Sequence, residues 1–484
     1  MKTILRISLA LGLFAGGAHA FSLLGPYDTW MQPTNGFHLP GDIGGPMNLG
    51  EEYRWNVPVL TYTFDPSFLD YFGSNGVAAV EQAIEILNHL PPASQLDPAN
   101  YPPEATRWNY SAQALNLTNV KSKTLAVLLE QLGLTQPTRH AFDVHDFEFV
   151  GGNPVAQIVI RNFDPITFAP TNWVNDFGHG YVLTAVTNGS TISVSAEEYN
   201  LLDPWTLPST AVADDAAGMG GYYTDLTRDD TGGLRYLLHT NNVNLEPLLP
   251  GVHGIGPNAG AYVNQALRPG VDKITFVRRD YDGLLGQFFT PYTNQFTDYY
   301  LSNQTVVAQQ LERVITAPDI LFSAGNDNQG IVTNALITRT GTTNWLNNAF
   351  PPGAAGPGII RPPIKLSYSK PAITFVSMDT PPYLVGYDMN LWGSFDGSTN
   401  QPVNYPLGAA ASDLSLNLHL LRNETEIGQA SWQIPLTPGD YILVETSTNL
   451  VNWSFHSLFS AGRRVEWFHH ISDARRYFRI VPHD

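Results

Sequence analysis

The densest group of chemically active side chains lies in one short stretch of the chain. His140 comes just before the run Asp143-Val-His145-Asp146-Phe-Glu148. On a β-strand, Asp143 and His145 point to one side, and the two later acids point to the other. A histidine beside carboxylates can bind a divalent metal ion or act as an oriented general base. The structural alternative is a solvent-facing strand edge.

A further histidine, His179, stands alone between residues 150 and 225. We therefore take Asp143, His145 and His179 as candidate catalytic residues. The candidate metal ligands are His140, His145 and His179. The sequence predicts no cofactor, and a divalent metal at these histidines is the open alternative.

Several chemistries are excluded by composition and by missing motifs. The chain has no cysteine, so it has no disulfides, thiol nucleophiles or thiolate metal sites. It contains no Gly-x-Ser-x-Gly, Walker A or dinucleotide-binding motif. The formal net charge of -18 argues against nonspecific binding to nucleic acid.

The N-terminus has the features of a secretory signal peptide. Lys2 and Arg6 precede an apolar run over residues 7–14, and Ala-His-Ala ending at Ala20 fits the small-x-small cleavage pattern. No later stretch reaches the ~18 apolar residues that a membrane span needs. We expect a secreted protein, extracellular, periplasmic or at the cell surface, with no transmembrane segment, cleaved after Ala20.

The elements that would position these side chains divide the chain at Gly/Pro-rich stretches. We predict a signal peptide (1–20), an extended arm (21–58) and an α+β domain (59–244). These are followed by a mixed region ending in a Pro/Gly linker (245–363), a sandwich-like β module (364–429) and a small C-terminal β module (430–484). The fold class is thus an α+β N-terminal domain followed by all-β, sandwich-like modules in a multidomain chain.

Periodicity and capping residues predict the individual elements. The predicted helices span 76–88, 122–133, 229–238 and 304–316. The predicted strands include 59–64, 273–277 and the pairs 141–150 with 155–161 and 181–186 with 191–195. The arm is predicted to lack elements of its own and to bury its aromatic side chains on its own domain, with self-association as the alternative.

Residues 441–453 carry the run Ser-Thr-Asn-Leu-Val-Asn-Trp, and residues 477–481 read Tyr-Phe-Arg-Ile-Val. Together they resemble the C-terminal β module of many secreted proteins of soil Verrucomicrobia. The larger body, including residues 273–277, 284–289 and 318–324, resembles uncharacterised secreted proteins of the same bacteria. This resemblance implies a location and a lineage, and it implies no activity.

A weaker resemblance concerns residues 59–240. The strand at 59–64 followed by the helix at 76–88 is similar to the opening of matrixin-like zinc proteases, and residues 226–237 resemble their closing helix. That family needs His-Glu-x-x-His for zinc. None of the thirteen histidines here has a partner four residues away. The resemblance therefore implies a degenerate zincin-like domain or a site of another kind.

Two functions from different classes follow. The first, which we favour, is a secreted extracellular or cell-surface structural or binding protein with no recognisable catalytic site. Its partners would be cell-surface or matrix polymers, or other copies bound through the 21–58 arm. The second is a secreted hydrolase with an unconventional metal site in residues 59–240. The aromatic content of 12% fits packed β cores, or alternatively stacking platforms for sugar rings.

Overall fold

The computed structural model describes most of the chain outside its N-terminus. The described residues are 20–38, 42–150, 153–188, 191–200, 210–282, 288–325, 337–340, 345–346, 356–369, 372–377, 384–386, 391–405, 413–422, 425–435, 441–447, 451–460 and 477–483. The predicted signal peptide therefore lies outside the described residues except for Ala20. Within them, no helix is both long and apolar enough to cross a membrane.

The described residues form four α-helices: α1 (Pro66–His89), α2 (Tyr110–Ala114), α3 (Val120–Leu132) and α4 (Arg228–Leu238). Helix α1 begins before the predicted residue 76, because Asp65 caps it by accepting the Phe68 N–H. Gly73, at φ 58°, interrupts the helical geometry between the two parts. Helix α3 ends at Gly133 as predicted, with Asn119 rather than Ser122 as its N-cap.

The first half of the chain contains fifteen short or medium-length strands among the described residues, numbered in chain order. Those before residue 250 are β1 (Phe21–Gly25), β2 (Gly45–Met47), β3 (Tyr53–Arg54), β4 (Val59–Phe64), β5 (Thr106–Trp108), β6 (Leu117–Asn119), β7 (Leu134–Thr135), β8 (Asp143–Val150), β9 (Asn153–Val159), β10 (Asn162–Phe163), β11 (Trp173–Val174), β12 (Phe177–Asn188), β13 (Thr191–Asn200), β14 (Gly221–Tyr223) and β15 (Val243–Glu246). The strand pairs β8–β9 and β12–β13 confirm the two predicted hairpins.

Later strands dominate the rest of the chain. They are β16 (Val252–Gly254), β17 (Ala266–Pro269), β18 (Thr275–Arg278), β19 (Tyr281–Asp282), β20 (Phe288–Phe289), β21 (Tyr292–Ser302), β22 (Thr305–Ile315), β23 (Ile320–Gly325), β24 (Ile337–Thr340), β25 (Trp345–Leu346), β26 (Gly358–Ile360), β27 (Ile364–Ser369), β28 (Ala372–Ser377), β29 (Leu384–Gly386), β30 (Leu391–Ser394), β31 (Val403–Asn404), β32 (Asp413–Arg422), β33 (Thr425–Pro435), β34 (Tyr441–Ser447), β35 (Ser454–Ser460) and β36 (Tyr477–His483). The described chain is predominantly β.

The central sheet has the strand order β18-β4-β23-β27-β24. Its first four strands run parallel, and β24 is antiparallel to β27. Helix α1 packs on it through aromatic contacts: its Phe68 lies 4.9 Å from Phe64 of β4 and meets Tyr368 of β27 edge-on at 5.5 Å. Aromatic residues thus fill this core, in agreement with the expectation that the aromatic content of the chain serves core packing.

Strand β27 corrects the role predicted for residues 364–369. They were expected to open a separate β module, but they lie in the central sheet because Ile364 and Leu366 are fully buried there. Residues 358–360 of the predicted linker form β26, which pairs with β3. Residues 351–355 of that linker lie outside the described part. The division of the chain into separate domains stays a prediction.

A second sheet has the order β15-β17-β21-β22-β16, with every pair antiparallel. The helix predicted over residues 304–316 is wrong, because this segment is strand β22. The helix was predicted from the spacing of Val307, Leu311 and Val314. In the strand, Leu311 pairs with Phe296 of β21, and Val314 points to the opposite face of the sheet. Pairing along the full length of β21 overrides the local pattern.

The arm at residues 21–58 contains three short strands, so the expectation that it lacks elements is wrong. Strand β1 pairs with β2, β7 and β10. Phe21, Phe37 and Trp55 are buried in the chain's own core, and the Trp55 indole N–H donates to the Gln131 carbonyl at 2.7 Å. These aromatic side chains are covered by the same chain, and self-association through the arm stays a prediction.

Candidate functional site

Two of the candidates, His140 and Asp143, form a buried pair. The His140 Nδ1 and Asp143 Oδ1 atoms are 3.0 Å apart, and both side chains are almost fully buried. The His140 backbone N–H donates to the Gln136 carbonyl, and its carbonyl accepts the Arg161 N–H. A carboxylate on Nδ1 orients an imidazole. From the sequence, Asp143 was placed beside His145, and its pairing with His140 was not predicted.

Aromatic side chains of the arm cover this pair. The Phe37 ring lies parallel to His140 at 6.4 Å, and Trp30 meets Phe37 edge-on at 5.2 Å. On its other side, Trp30 packs on His145 at 4.7 Å. We call these residues, with Asp143, the histidine–aromatic cluster. Because His140 is only 2% exposed under the arm, this arrangement packs the arm onto β8 and leaves its imidazole no opening to a substrate.

His179 lies at the start of β12 and is also buried. Its backbone N–H donates to the Asn172 carbonyl at 2.8 Å, and its own carbonyl accepts from the Asn172 side chain. Within the described part of the chain, no three acid, histidine or cysteine side chains are grouped so that they could hold a metal ion. The structure therefore does not gather His140, His145 and His179 into one ligand set.

A second group of ionisable residues escaped the sequence analysis. Asp214, Asp229 and Asp230 are buried side by side where the N-terminus of α4 meets the turn at Val212–Asp214. We call them the carboxylate cluster. The capping box of Thr227 and Asp230 was visible in the sequence, but nothing in it indicated that Asp214 would lie beside this helix.

Backbone N–H groups from several segments converge on the carboxylate cluster. Asp230 accepts from Val212 at 3.0 Å and Ala213 at 2.9 Å. Asp214 accepts from Thr138 N–H and hydroxyl, and from Ala211. Burial nevertheless outweighs these bonds: it raises the pKa of Asp214 to about 7, and it also raises the pKa of Asp229 and of Asp230. The cluster ties distant loops together.

Buried ion pairs line the inner face of the second sheet. Arg54 Nε donates to Glu246 at 2.6 Å, and Arg268 Nε donates to Asp298 at 3.2 Å. The remaining Arg268 donors reach main-chain carbonyls, including that of Glu246 at 2.6 Å. Further along, Arg313 pairs with a fully buried acid, Asp319. These arginines hold the second sheet against β3 and the central sheet.

The outer face of the second sheet carries an apolar row across four strands. Leu245 pairs with Leu267, Leu267 with Leu301, and Leu301 with Val306. Leu267 is 46% exposed, Val306 is 60% exposed, and Tyr299 beside them is 49% exposed. Because side chains alternate along a strand, Tyr299 shares this face with Leu301.

Polar side chains continue the same face along β21 and β22. The Gln295 amide donates to Glu312 at 2.8 Å, and the Gln310 amide donates to the Thr297 hydroxyl at 2.9 Å. Both pairs are exposed to solvent. The outer face therefore combines an apolar row with amide, hydroxyl and carboxylate groups, and sequence analysis missed it because residues 304–316 were predicted to be helical.

A small pocket of about 30 Å³ lies among α1, α3, α4 and residues 272–276. Half of its twelve lining residues are leucines, including Leu87, Leu132 and Leu234. This volume is on the scale of a single water molecule, so the pocket does not provide room for a substrate.

Comparisons with known proteins give no independent assignment. No protein-family model, no curated protein and no solved structure matches this chain.

Proposed function

We propose that this chain is a noncatalytic extracellular binding protein that uses the outer face of the second sheet to hold an uncharged polymer, of the polysaccharide class. The observation that carries the proposal is the apolar row on this face, in which Leu267, Val306 and the neighbouring Tyr299 are exposed and Leu245 and Leu301 are half-buried. A flat row of this kind exposes apolar surface that a folded chain ordinarily buries, and such surfaces commonly mark interaction sites.

The chemistry of the neighbouring side chains favours a sugar polymer over an apolar partner. Sugar rings present apolar faces that stack on aromatic side chains, and hydroxyl groups that need donors and acceptors. Tyr299 supplies the first, and Gln295, Thr297 and Gln310 supply the second. Because the whole chain is strongly acidic, with a net charge of -18, an uncharged polymer is favoured over an anionic one.

The buried ionisable residues support a noncatalytic role. The carboxylate cluster holds separate segments of the chain together. His140 and Asp143 form a buried pair, and Phe37 of the arm lies over the imidazole. The zincin-like alternative needs a metal-ligand set that the described residues do not bring together. Secretion is an expectation from the sequence, and it is part of this proposal.

Co-sedimentation with insoluble neutral polysaccharides tests the proposal. We expect the protein to pellet with at least one of cellulose, xylan or starch. The double variant Tyr299→Ala/Leu267→Ala should weaken that binding about tenfold or more, and Tyr110→Ala, which removes a tyrosine that is 77% exposed elsewhere, should not. Equal binding by both variants, no binding by the parent protein, or sedimentation velocity showing that the row is occupied by a second copy, would each contradict the proposal.

A further inference from the structure

The polar and apolar groups of the outer face are ordered along the hairpin formed by β21 and β22. Cross-strand partners on this face recur at every second residue, and we call each such pair a rung. From the base of the hairpin toward its tip, the rungs are Gln295 with Glu312, Thr297 with Gln310, Tyr299 with Ala308, and Leu301 with Val306. At the usual strand rise, consecutive rungs lie about 6.8 Å apart, so the four rungs span about 20 Å. The face therefore changes from polar to apolar along the strand direction.

The tip of the hairpin adds two further amide groups next to the apolar end. Asn303 and Gln304 join the strands with φ angles of 51° and 63°, and both are exposed. Two successive positive φ angles are those of a type I′ turn, which favours asparagine at its first central position and glycine at its second. Gln304 thus holds a long amide side chain at a position where glycine would be less strained. Strained residues of this kind cluster at functional sites.

The rung of Tyr299 and Ala308 lies between the polar and the apolar rungs. Ala308 is directly opposite Tyr299 and is exposed. Because alanine carries only a methyl group, the tyrosine ring has a small cross-strand neighbour, which fits its 49% exposure. This rung therefore leaves the tyrosine ring accessible to a stacking sugar.

These positions decide how a polymer can lie on the face. A chain lying across the strands would follow the row from Leu245 to Val306 and would meet apolar side chains. A chain lying lengthwise would contact the tip amides, then Leu301 and Val306, then Tyr299, and then the polar rungs. Sugar hydroxyl groups that lose water need hydrogen-bond partners, while sugar faces gain from apolar contact. The lengthwise path supplies both.

We propose, on the basis of the binding function proposed above, that the ligand is a β-1,4-linked polysaccharide of the cellulose or xylan class. One chain of it lies lengthwise on the hairpin, with hydroxyl groups bound by the Asn303 and Gln304 amides. A β-1,4 linkage gives an extended chain, which can follow a path of about 20 Å along two strands. An α-1,4 linkage, as in starch, coils the chain and turns successive sugar units away from such a path.

Titration calorimetry with soluble oligosaccharides tests the length and the linkage of the ligand. The full exported chain is titrated with cellobiose and cellohexaose, with xylobiose and xylohexaose, and with maltohexaose. In at least one β-linked series the affinity should rise about tenfold or more from the two-unit to the six-unit sugar, and maltohexaose should bind about tenfold more weakly than that hexasaccharide. Equal affinity for the short and the long β-linked sugars, or equal affinity for maltohexaose, overturns the proposal.

The variant Gln304→Gly tests the contact at the tip without weakening the fold. Glycine suits the second central position of the turn, so Tm should stay the same or rise. Affinity for the better β-linked hexasaccharide should fall about fivefold, the value of one hydrogen bond. Gln82→Ala, which removes an exposed amide from α1, is the matched control and should leave the affinity unchanged. Affinity equal to that of the parent protein in Gln304→Gly overturns the proposal.

Failure of the underlying binding function has a different signature. In that case no polysaccharide pellets the protein and no sugar gives a calorimetric signal, so both proposals are wrong. If pelleting depends on Tyr299 and Leu267 while maltohexaose binds as well as cellohexaose and xylohexaose, the binding function holds and the lengthwise β-linked chain is wrong.

Discussion

Both faces of the second sheet mix polar and apolar side chains: Leu311 lies on the buried face, and Gln295 and Gln310 lie on the exposed face. Its buried face carries Arg268, Asp298 and Arg313, whereas its exposed face carries Leu267 and Val306. Apolar burial is ordinarily the main source of folding stability, so this sheet gains little from its solvent-facing leucines. The inner face holds the sheet in place, and the outer face is the surface that we propose for binding.

The main effect of the ion pairs on the inner face is to fix how the strands are aligned, and their contribution to the free energy of unfolding is secondary. A buried pair costs desolvation of both charges and repays that cost only with good geometry. Here Arg54 of β3 reaches Glu246 of β15, and Arg268 reaches both the Glu246 carbonyl and Asp298. Because a one-residue slip would turn these charges toward solvent and the leucines inward, the pairs fix the register.

The largest expected effect comes from removing an inner-face arginine. Arg268→Met should lower the free energy of unfolding by about 3–5 kcal/mol, because it takes the guanidinium donors from three main-chain carbonyls and leaves buried Asp298 with the Gln309 amide but without its charge partner. Urea denaturation measures the loss. The control Arg278→Met breaks a half-exposed pair with Glu81 and should cost under about 1 kcal/mol. Equal losses in the two variants would contradict the assigned role of the inner face.

A double-mutant cycle sharpens this point. Arg268→Met and Asp298→Asn should be non-additive, with a coupling energy of about 1–3 kcal/mol, because each substitution already removes the same ion pair. Urea denaturation of the parent, the two single variants and the double variant gives the coupling. Additive losses would mean that Arg268 acts through its carbonyl contacts alone.

The carboxylate cluster differs from the buried ion pairs, because its acids accept hydrogen bonds from backbone N–H groups. Asp214 has its pKa raised to about 7 by burial. Between about pH 4 and pH 7 the folded chain therefore keeps a proton that the unfolded chain has released, and the free energy of unfolding falls as pH rises, by up to about 1.4 kcal/mol per pH unit.

Stability measured against pH checks this direction. Asp214→Asn should flatten the decline between pH 5 and pH 7, and the exposed control Asp225→Asn should leave it unchanged. A decline of the same slope in the Asp214 variant would assign the effect to other groups.

Local signals in the sequence were sufficient where local contacts decide the structure. Strand 59–64, the capping box at Thr227 and the helix end at Gly133 follow from residues near one another in the chain. His140 and Asp143, three residues apart, were both singled out as candidates, but their pairing with each other was not predicted.

Long-range contacts decided the rest. Strand β22 has Gln309 and Arg313 on its inner side. The alternation of polar and apolar residues in its sequence therefore does not show which face is buried. Asp214 meets Asp230, and Arg54 meets Glu246, across sequence separations that no local pattern encodes. The outer face could not be found until β15, β17, β21 and β22 were placed side by side.

The smallest expected effect tests the outer face itself. Val306→Thr keeps a β-branched side chain in β22 and changes a residue that is 60% exposed, so the free energy of unfolding should change by no more than about 0.5 kcal/mol. Leu311→Ala lies in the same strand, on the inner face and fully buried, and it should cost about 2–5 kcal/mol. Urea denaturation of the two variants compares the faces directly. If Val306→Thr destabilises the protein as much as Leu311→Ala does, the apolar row serves folding, and its exposure no longer argues for a binding surface.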